Sequence, residues 1–255
     1  MGHVLVLALD TSSPTGSIAV LRDAECRGVI STRSDEPYSS RLFRQLNFLL
    51  DELSVKLDEV DLFAVCTGPG SFTGLRVGLA AVKGWAEVYQ KPIAAISALE
   101  AVATQSQSGA AIVFPVLDAR RSQIYAGKYS RNVEKAPDSW TSLWDERVMT
   151  PEEFFLELVE RNGGLAAGTV PYVESAVIVT PDPALLGVAF EKFQASNDHL
   201  NSVRIENISA VLAPLVGRLG LLRSQHGRLT NALSLDASYV RRSDAEMKWK
   251  DPAAL

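Results

Sequence analysis

Thr67-Gly68-Pro69-Gly70-Ser71-Phe72-Thr73-Gly74-Leu75-Arg76-Val77-Gly78 joins a strand to a helix through a turn with few side chains, and the fold reads outward from it. Before it, Leu62-Phe63-Ala64-Val65-Cys66 is a short apolar run of buried-strand type; after it, Leu75 to Tyr89 reads as one continuous helix. Gly68 and Gly70 permit positive φ or close backbone approach, Pro69 fixes its own φ, and Ser71 or Thr73 can cap the helix. An amide-rich helix start of this kind suits an anion, and it serves equally well as a plain tight turn. A lysine-bearing phosphate loop is excluded on spacing, because Gly74 is followed by Leu75-Arg76.

Along helix 74–90, Gly74, Gly78, Ala81 and Trp85 fall on one stripe, Leu75, Leu79, Val82, Ala86 and Tyr89 on a second, and Val77, Gly84 and Val88 on a third. Only Arg76, Lys83 and Glu87 mark a wet side, so the helix is expected to pack on two sides. A glycine inside a helix costs roughly 1 kcal/mol against alanine, which Gly78 and Gly84 offset by admitting a second backbone. Helix 39–54, opened by Ser39 or Ser40, carries Leu42, Leu46, Leu49, Leu50 and Leu53 at helical spacing, with Phe43 and Phe48 off that stripe. The two helices hold more apolar surface than one sheet face covers, which points to a shared interaction surface. Its expected contact residues are Leu42, Leu46, Leu49, Leu50, Leu53, Gly74, Gly78, Ala81 and Trp85. A central core helix is the competing reading.

The chain has 255 residues, 47% of them hydrophobic, enough for a full core in one large or two small domains. A net charge of −5 argues against nucleic-acid binding by the chain alone, though not against a local basic patch. Cys26 and Cys66 make neither a disulfide framework nor a zinc site, so a reducing cytoplasm is the expected location. Val4 to Leu9 is too short for a signal peptide, and no run approaches the roughly 18 apolar residues that span a membrane.

His3 to Leu9 reads as a buried strand ending at Asp10-Thr11-Ser12-Ser13-Pro14-Thr15-Gly16, with Ser17 to Leu21 as its hairpin partner. A carboxylate, hydroxyls and a glycine crowded into one turn suit a phosphate or a hydrated metal ion, although the same residues are ordinary turn formers. Pro92 to Ile96 follows as a strand, Ser97 to Glu100 has capping-box spacing, and Thr104 to Gly109 reads as a linker. The pattern then restarts: Ile112 to Leu117 runs into Asp118, turns through Ala119-Arg120-Arg121-Ser122 and returns over Gln123 to Tyr129. Strand, aspartate, turn, strand at both 4–21 and 112–129 implies a duplication, 1–108 and 109–255, with Asp10 and Asp118 in matching places. The second turn lacks a glycine and puts Arg120 and Arg121 where a phosphate-cradling backbone should be bare.

Residues 130–148 read as a polar surface excursion, and Thr150-Pro151-Glu152-Glu153 starts a helix that runs to Arg161. A strand at 176–180, a helix from Pro183 to Gln194, and a helical run from Ile208 to Leu222 kinked or starting late at Pro214 complete the pattern. The tail from Asp244, with Met247 and Trp249, either docks or frays.

Leu7-Ala8-Leu9-Asp10-Thr11-Ser12, the Gly68–Arg76 segment and Asp118-Ala119-Arg120-Arg121 together resemble the TsaB (YeaZ) family. Ser238-Tyr239-Val240-Arg241 is similar to its Tyr-Leu-Arg element, with valine for leucine and no preceding proline. The resemblance implies an α/β fold of two duplicated actin/hexokinase/Hsp70-like domains, each a mixed sheet with helices. It implies the non-catalytic subunit of a complex that places threonylcarbamoyl on the adenosine beside the anticodon of certain tRNAs. The expected partners are the catalytic paralogue TsaD, bound through the first domain's helices, and the ATPase TsaE. Transfer RNA is met only within the complex, and a homodimer is expected when the partner is absent.

No catalytic residue and no metal site are expected: His3, His199 and His226 include no pair four apart, as a His-x-x-x-His site of the kind in relatives resembling TsaD requires. The rival reading is an ATPase or small-molecule kinase of the same fold. Its nucleotide site would be Asp10, Thr11, Ser12, Gly68, Gly70 and Asp118, vestigial or weak toward ATP or ADP.

Overall fold

Leu5–Asp10 forms β1, buried along its whole length because its apolar side chains alternate between two cores. Val6 and Ala8 face one core; Leu5, Leu7 and Leu9 face the other. In the computed structural model, which describes residues 3–131, 140–163, 177–196 and 203–240, β1 is the centre of a five-stranded sheet. β2 (Thr15–Arg22) runs antiparallel to it with Asp10 opposite Ser17, and β3 (Glu25–Arg33) follows as the edge. On the other side β4 (Leu62–Gly68) and β5 (Ile93–Ser97) lie parallel, which gives the order β3-β2-β1-β4-β5. Parallel neighbours need crossovers, and α1 (Tyr38–Leu53) and α2 (Phe72–Tyr89) supply them on one face of the sheet. α3 (Ala98–Thr104), capped by the Ser97 hydroxyl accepting from Leu99 N and Glu100 N, leads into the second half.

The second half is built from β6 (Ile112–Arg120), β7 (Gln123–Ala126), β8 (Tyr129–Arg131), β9 (Trp140–Ser142), β10 (Arg147–Met149), β11 (Val177–Thr180) and β12 (Arg204–Asn207). Its main path is β10-β7-β6-β11-β12, with β8 paired to β6 and β9 to β8. Taking those five in chain order, the sequence across the sheet is third, second, first, fourth, fifth, as in the first sheet. Two mixed sheets with one topology make this the duplicated fold of the actin/hexokinase/Hsp70 type. α4 (Pro151–Gly163), through Phe154, Phe155 and Leu158, and α5 (Gly187–Ser196), through Ala189, cover the second sheet. The α4 capping box forms in both directions: Glu153 N donates to Thr150 Oγ1 at 3.2 Å and Thr150 N to Glu153 Oε2 at 2.7 Å.

α6 (Ala213–Gln225) starts at Pro214's turn, and it returns to the first sheet, whose free face it covers. Small residues set the approach: a Cβ added at Gly220 would lie 2.7 Å from the Ala64 Cβ. The first sheet uses residues 5–97 and the second 112–207, so α6 belongs to 109–255 in sequence and to the first sheet in packing.

Elsewhere the structure departs from the sequence expectations. β3 and β12 are strands that no apolar run announces, since β3 is an edge with alternating half-exposed residues and β12 is mostly polar. α1 begins at Tyr38, not after Ser39 or Ser40, and has no side-chain cap; the Tyr38 hydroxyl instead donates to Ser13 O at 2.7 Å. The return over 123–129 divides into β7 and β8. Within 140–149 the supposed excursion contains β9 and β10 and buries Trp140 and Trp144. Pro183–Leu185 is a separate short turn before α5. The tail from Asp244 lies outside the described residues. No helix among the described residues is long and apolar enough to cross a membrane.

Candidate functional site

Asp10, at the end of β1, is fully buried. Its Oδ1 accepts from Ser12 N at 2.9 Å and from Ser12 Oγ at 2.6 Å, an internal turn that closes β1 onto β2. No N–H or O–H among the described residues reaches Oδ2, nor does a partner reach Thr11 Oγ1. Burial pushes the Asp10 carboxyl above its usual range, against the pull of the Ser12 hydrogen bonds and the neighbouring Cys66 thiol.

The glycine turn that opens α2 presses directly on this β1–β2 turn. Ser71 N donates to Ser12 O at 2.6 Å, and a Cβ at Gly70 would stand 2.3 Å from that same oxygen. At Gly74 it would meet Thr11 O at 2.2 Å, and at Gly78 Thr11 Oγ1 at 2.4 Å. The glycines therefore admit the chain's own backbone, and Ser12 O takes the Ser71 N–H at this helix start. Ser71 caps α2 by accepting from Gly74 N at 3.3 Å. Gly68, at φ 114°, is the position that demands glycine, and Ser238 crosses it, donating its N–H to Thr67 O at 2.8 Å. Beneath the turn Arg41 is buried, donating to Thr32 O at 3.0 Å, Thr32 Oγ1 at 2.6 Å and Pro14 O at 3.1 Å, with its guanidinium 4.0 Å from the Tyr38 ring centre.

Asp118, the expected counterpart of Asp10, is exposed on the equivalent strand and accepts from Arg120 N at 2.6 Å. The structure thus brings Asp10, Thr11, Ser12, Gly68 and Gly70 together as a packed junction and leaves Asp118 on the rim. The second sheet reaches the junction through the Tyr125 hydroxyl, which donates to Gly70 O at 3.5 Å.

The expected contact residues on the helices divide differently. Leu42, Leu46, Leu49 and Leu50 are buried in the core against β1 and β2, and Gly74 and Gly78 are buried on Thr11, so none of these six is available to a partner. The physical reason is that helical spacing identifies an apolar face, and here the leucine face meets the chain's own sheet. Leu53, Ala81 and Trp85 are half-buried.

What lies outside is the arc that the leucine stripe omitted. Phe43 is 51% exposed, Phe48 60% and Val88 74%. The Phe43 ring stands edge-on to Trp85 with centroids 6.1 Å apart, and Trp85 leans on buried Phe63 at 5.9 Å. Ala80 and Gly84 are exposed beside them on α2, and a Cβ at Gly84 would meet nothing within 4 Å. Among the described residues α2 thus leaves the line of Ala80, Gly84 and Val88 exposed, while its other sides meet β4, α1 and the β1–β2 turn. Large aromatics standing off the core stripe were the sequence signal for this surface.

A family model described as "TsaD: tRNA N6-adenosine threonylcarbamoyltransferase" matches residues 17–216. The chain is 34% identical over 210 residues to the tRNA threonylcarbamoyladenosine biosynthesis protein TsaB of Bacillus subtilis (strain 168), spanning 76% of this chain and 90% of that protein. To the protein of the same name from Haemophilus influenzae it is 30% identical over 168 residues, 64% of this chain and 71% of the relative. The solved structure of YeaZ from Pseudomonas aeruginosa superposes with a TM-score of 0.68 at 22% identity, covering 92% of this chain and 99% of that one, a likeness of fold.

Proposed function

The chain belongs to the TsaB (YeaZ) family, and from that premise we propose that it serves tRNA threonylcarbamoyladenosine biosynthesis as a non-catalytic subunit that binds and activates TsaD. The observation that carries this reading is the exposed apolar surface of α1 and α2: Phe43, Phe48 and Val88 around Trp85, with Ala80 and Gly84 leaving room for close approach. An apolar surface flanked by charge is what a helix-on-helix contact needs, and small residues let backbones approach. The match to a model described for TsaD makes a second chain of the same fold the natural occupant. Without that partner the same surface pairs two copies of this chain. TsaE joins the pair, tRNA is met within the assembly, and its place is the cytoplasm.

The competing reading, an ATPase or kinase using Asp10 and Asp118, has the β1–β2 turn against it. Asp10 and Thr11 are enclosed by α2, and any ATP or ADP contact there would be weak. The test is reconstitution of threonylcarbamoyl transfer to tRNA with TsaD and TsaE. Omission of this chain should abolish transfer, and Asp10→Asn should leave it intact. Full transfer without the chain, or its loss with a folded Asp10→Asn protein, would contradict the reading.

A further inference from the structure

The first sheet holds a cavity of about 410 Å³ at the end away from the glycine turn, lined by Leu5, Val20, Arg22, Arg27, Leu53 and Val55. A second cavity, of about 230 Å³, shares Leu5, Arg22, Leu53 and Val55 with it and continues past Ser54. Local backbone features build the larger one. The β2–β3 register shifts between Val20, opposite Gly28, and Leu21, opposite Cys26, so Arg27 is the extra residue of a bulge. Cys26 packs toward the core under α6, whereas a Cβ at Gly28 would stand 3.0 Å from a Leu53 methyl of α1. The bulge thus gives Arg27 and Gly28 one face, and the missing side chain at Gly28 lets the end of α1 come down beside Arg27. Ser54, left-handed at φ 53°, ends α1, and Val55 N donates to Leu50 O at 3.0 Å, which returns Val55 to the core.

The carboxylates nearby are engaged with other donors. Asp23 meets His3 Nδ1 at 2.6 Å and Val4 N at 2.9 Å, Asp61 accepts from Leu5 N at 2.9 Å, and Glu59 accepts from Lys56 N at 2.7 Å. Beyond the through-space charge of Asp23, Arg22 has no hydrogen-bond or ion-pair partner among the described residues. Arg27 pairs with Glu25 at 3.0 Å, with both side chains more than half exposed, and an exposed pair of this kind costs little to open. Two guanidinium groups therefore stand over four aliphatic side chains in a chain whose net charge is −5.

Small-molecule sites occupy about 300–1,000 Å³ and combine apolar walls with a few polar groups that fix orientation. Guanidinium groups match carboxylate and phosphate oxygens. We propose that this cavity binds a small amphiphilic anion, its carboxylate or phosphate head held by Arg22 and Arg27 and its short aliphatic body laid on Leu5, Val20, Leu53 and Val55. A cavity walled by aliphatic side chains, in place of a basic strip along the surface, favours a small molecule over an extended acidic peptide. The site is separate from the α1–α2 docking surface, and its test needs no partner protein.

The test is methyl NMR of the full chain titrated with hexanoate and with hexyl phosphate, against hexylamine, hexanol and inorganic phosphate. Saturable shifts of the Leu5, Val20, Leu53 and Val55 methyls are expected with at least one of the two anions, and which one binds identifies the head group. Hexylamine and hexanol should give none, and inorganic phosphate should bind more weakly than hexyl phosphate. Arg22→Gln/Arg27→Gln, folded by circular dichroism, should weaken binding at least about tenfold, the effect of one lost charge-assisted hydrogen bond. Arg44→Gln, on the exposed side of α1, should change nothing. No saturable shift with either anion, equal binding of hexylamine, shifts centred on Val88, or unchanged affinity in the folded double variant would each overturn the proposal. If the double variant does not fold, the location of the shifts and the preference for anions in the wild type decide. A capped acidic peptide that shifts these methyls where neither anion does would give the cavity to a partner protein and refute the small-molecule site.

Discussion

Thr11 Oγ1 stands where a side chain at Gly78 would begin, with 2.4 Å between it and a Cβ built there. α2 is therefore held on the β1–β2 turn by the absence of a methyl group. Gly78→Ala should destabilise the fold by about 1–3 kcal/mol, the cost of overpacking a closed site. Gly84→Ala, on the same helix with open space around it, should instead add up to about 1 kcal/mol of stability. Urea denaturation of the two variants measures the difference, and equal effects would mean that Gly78 is not a contact point.

Leu46, 1% exposed, belongs to the core under α1. Leu46→Asp buries a charge without a partner and should cost at least about 3 kcal/mol, so the variant loses its cooperative unfolding transition by circular dichroism. A folded Leu46→Asp protein that only fails to bind a partner would show that this leucine faces outward.

That leucine shows how much of the fold was legible. Periodicity located α1, α2, β1 and β4, and the repeated strand-aspartate-turn pattern located the duplication now visible as two sheets of one topology. It could not tell which side of a broadly apolar helix meets the sheet, because that depends on the tertiary placement of α1 over β1 and β2. The nearly all-polar edge β12 and the short β9 and β10 carry little apolar signal of their own. Gly70 and Gly78 were legible as sites of close approach, Gly74 was not, and Gly84, expected to be one, has open space around it; what approaches, the Thr11–Ser12 turn, lies about 60 residues away in sequence.

Glu146 joins the two halves, accepting from the Ser97 hydroxyl at the end of β5 and from the Tyr129 hydroxyl of β8 at 2.8 Å. Burial chiefly, with the Glu100 charge adding to it, holds its carboxyl above the usual range, against those hydrogen bonds; Glu100 itself pairs with Arg223. A folded-state pKa above the unfolded value gives stability that is complete below the unfolded value near 4.5 and is lost as pH rises through the folded one. Glu146→Gln removes that loss. Its melting temperature relative to wild type should therefore climb as pH rises from about 4.5, and a difference that does not vary with pH would contradict the assignment.

The docking surface of α1 and α2 is tested most directly by light-scattering mass determination of the chain mixed with TsaD, wild type against Phe43→Asp/Phe48→Asp. Both side chains are more than half exposed, so the variant should stay folded, with a loss of about 1 kcal/mol where Phe43 leaves the Trp85 ring. The expected result is a mixed complex for the wild type and separate components for the folded variant. A variant that still forms the complex at wild-type affinity would show that TsaD does not dock on this surface.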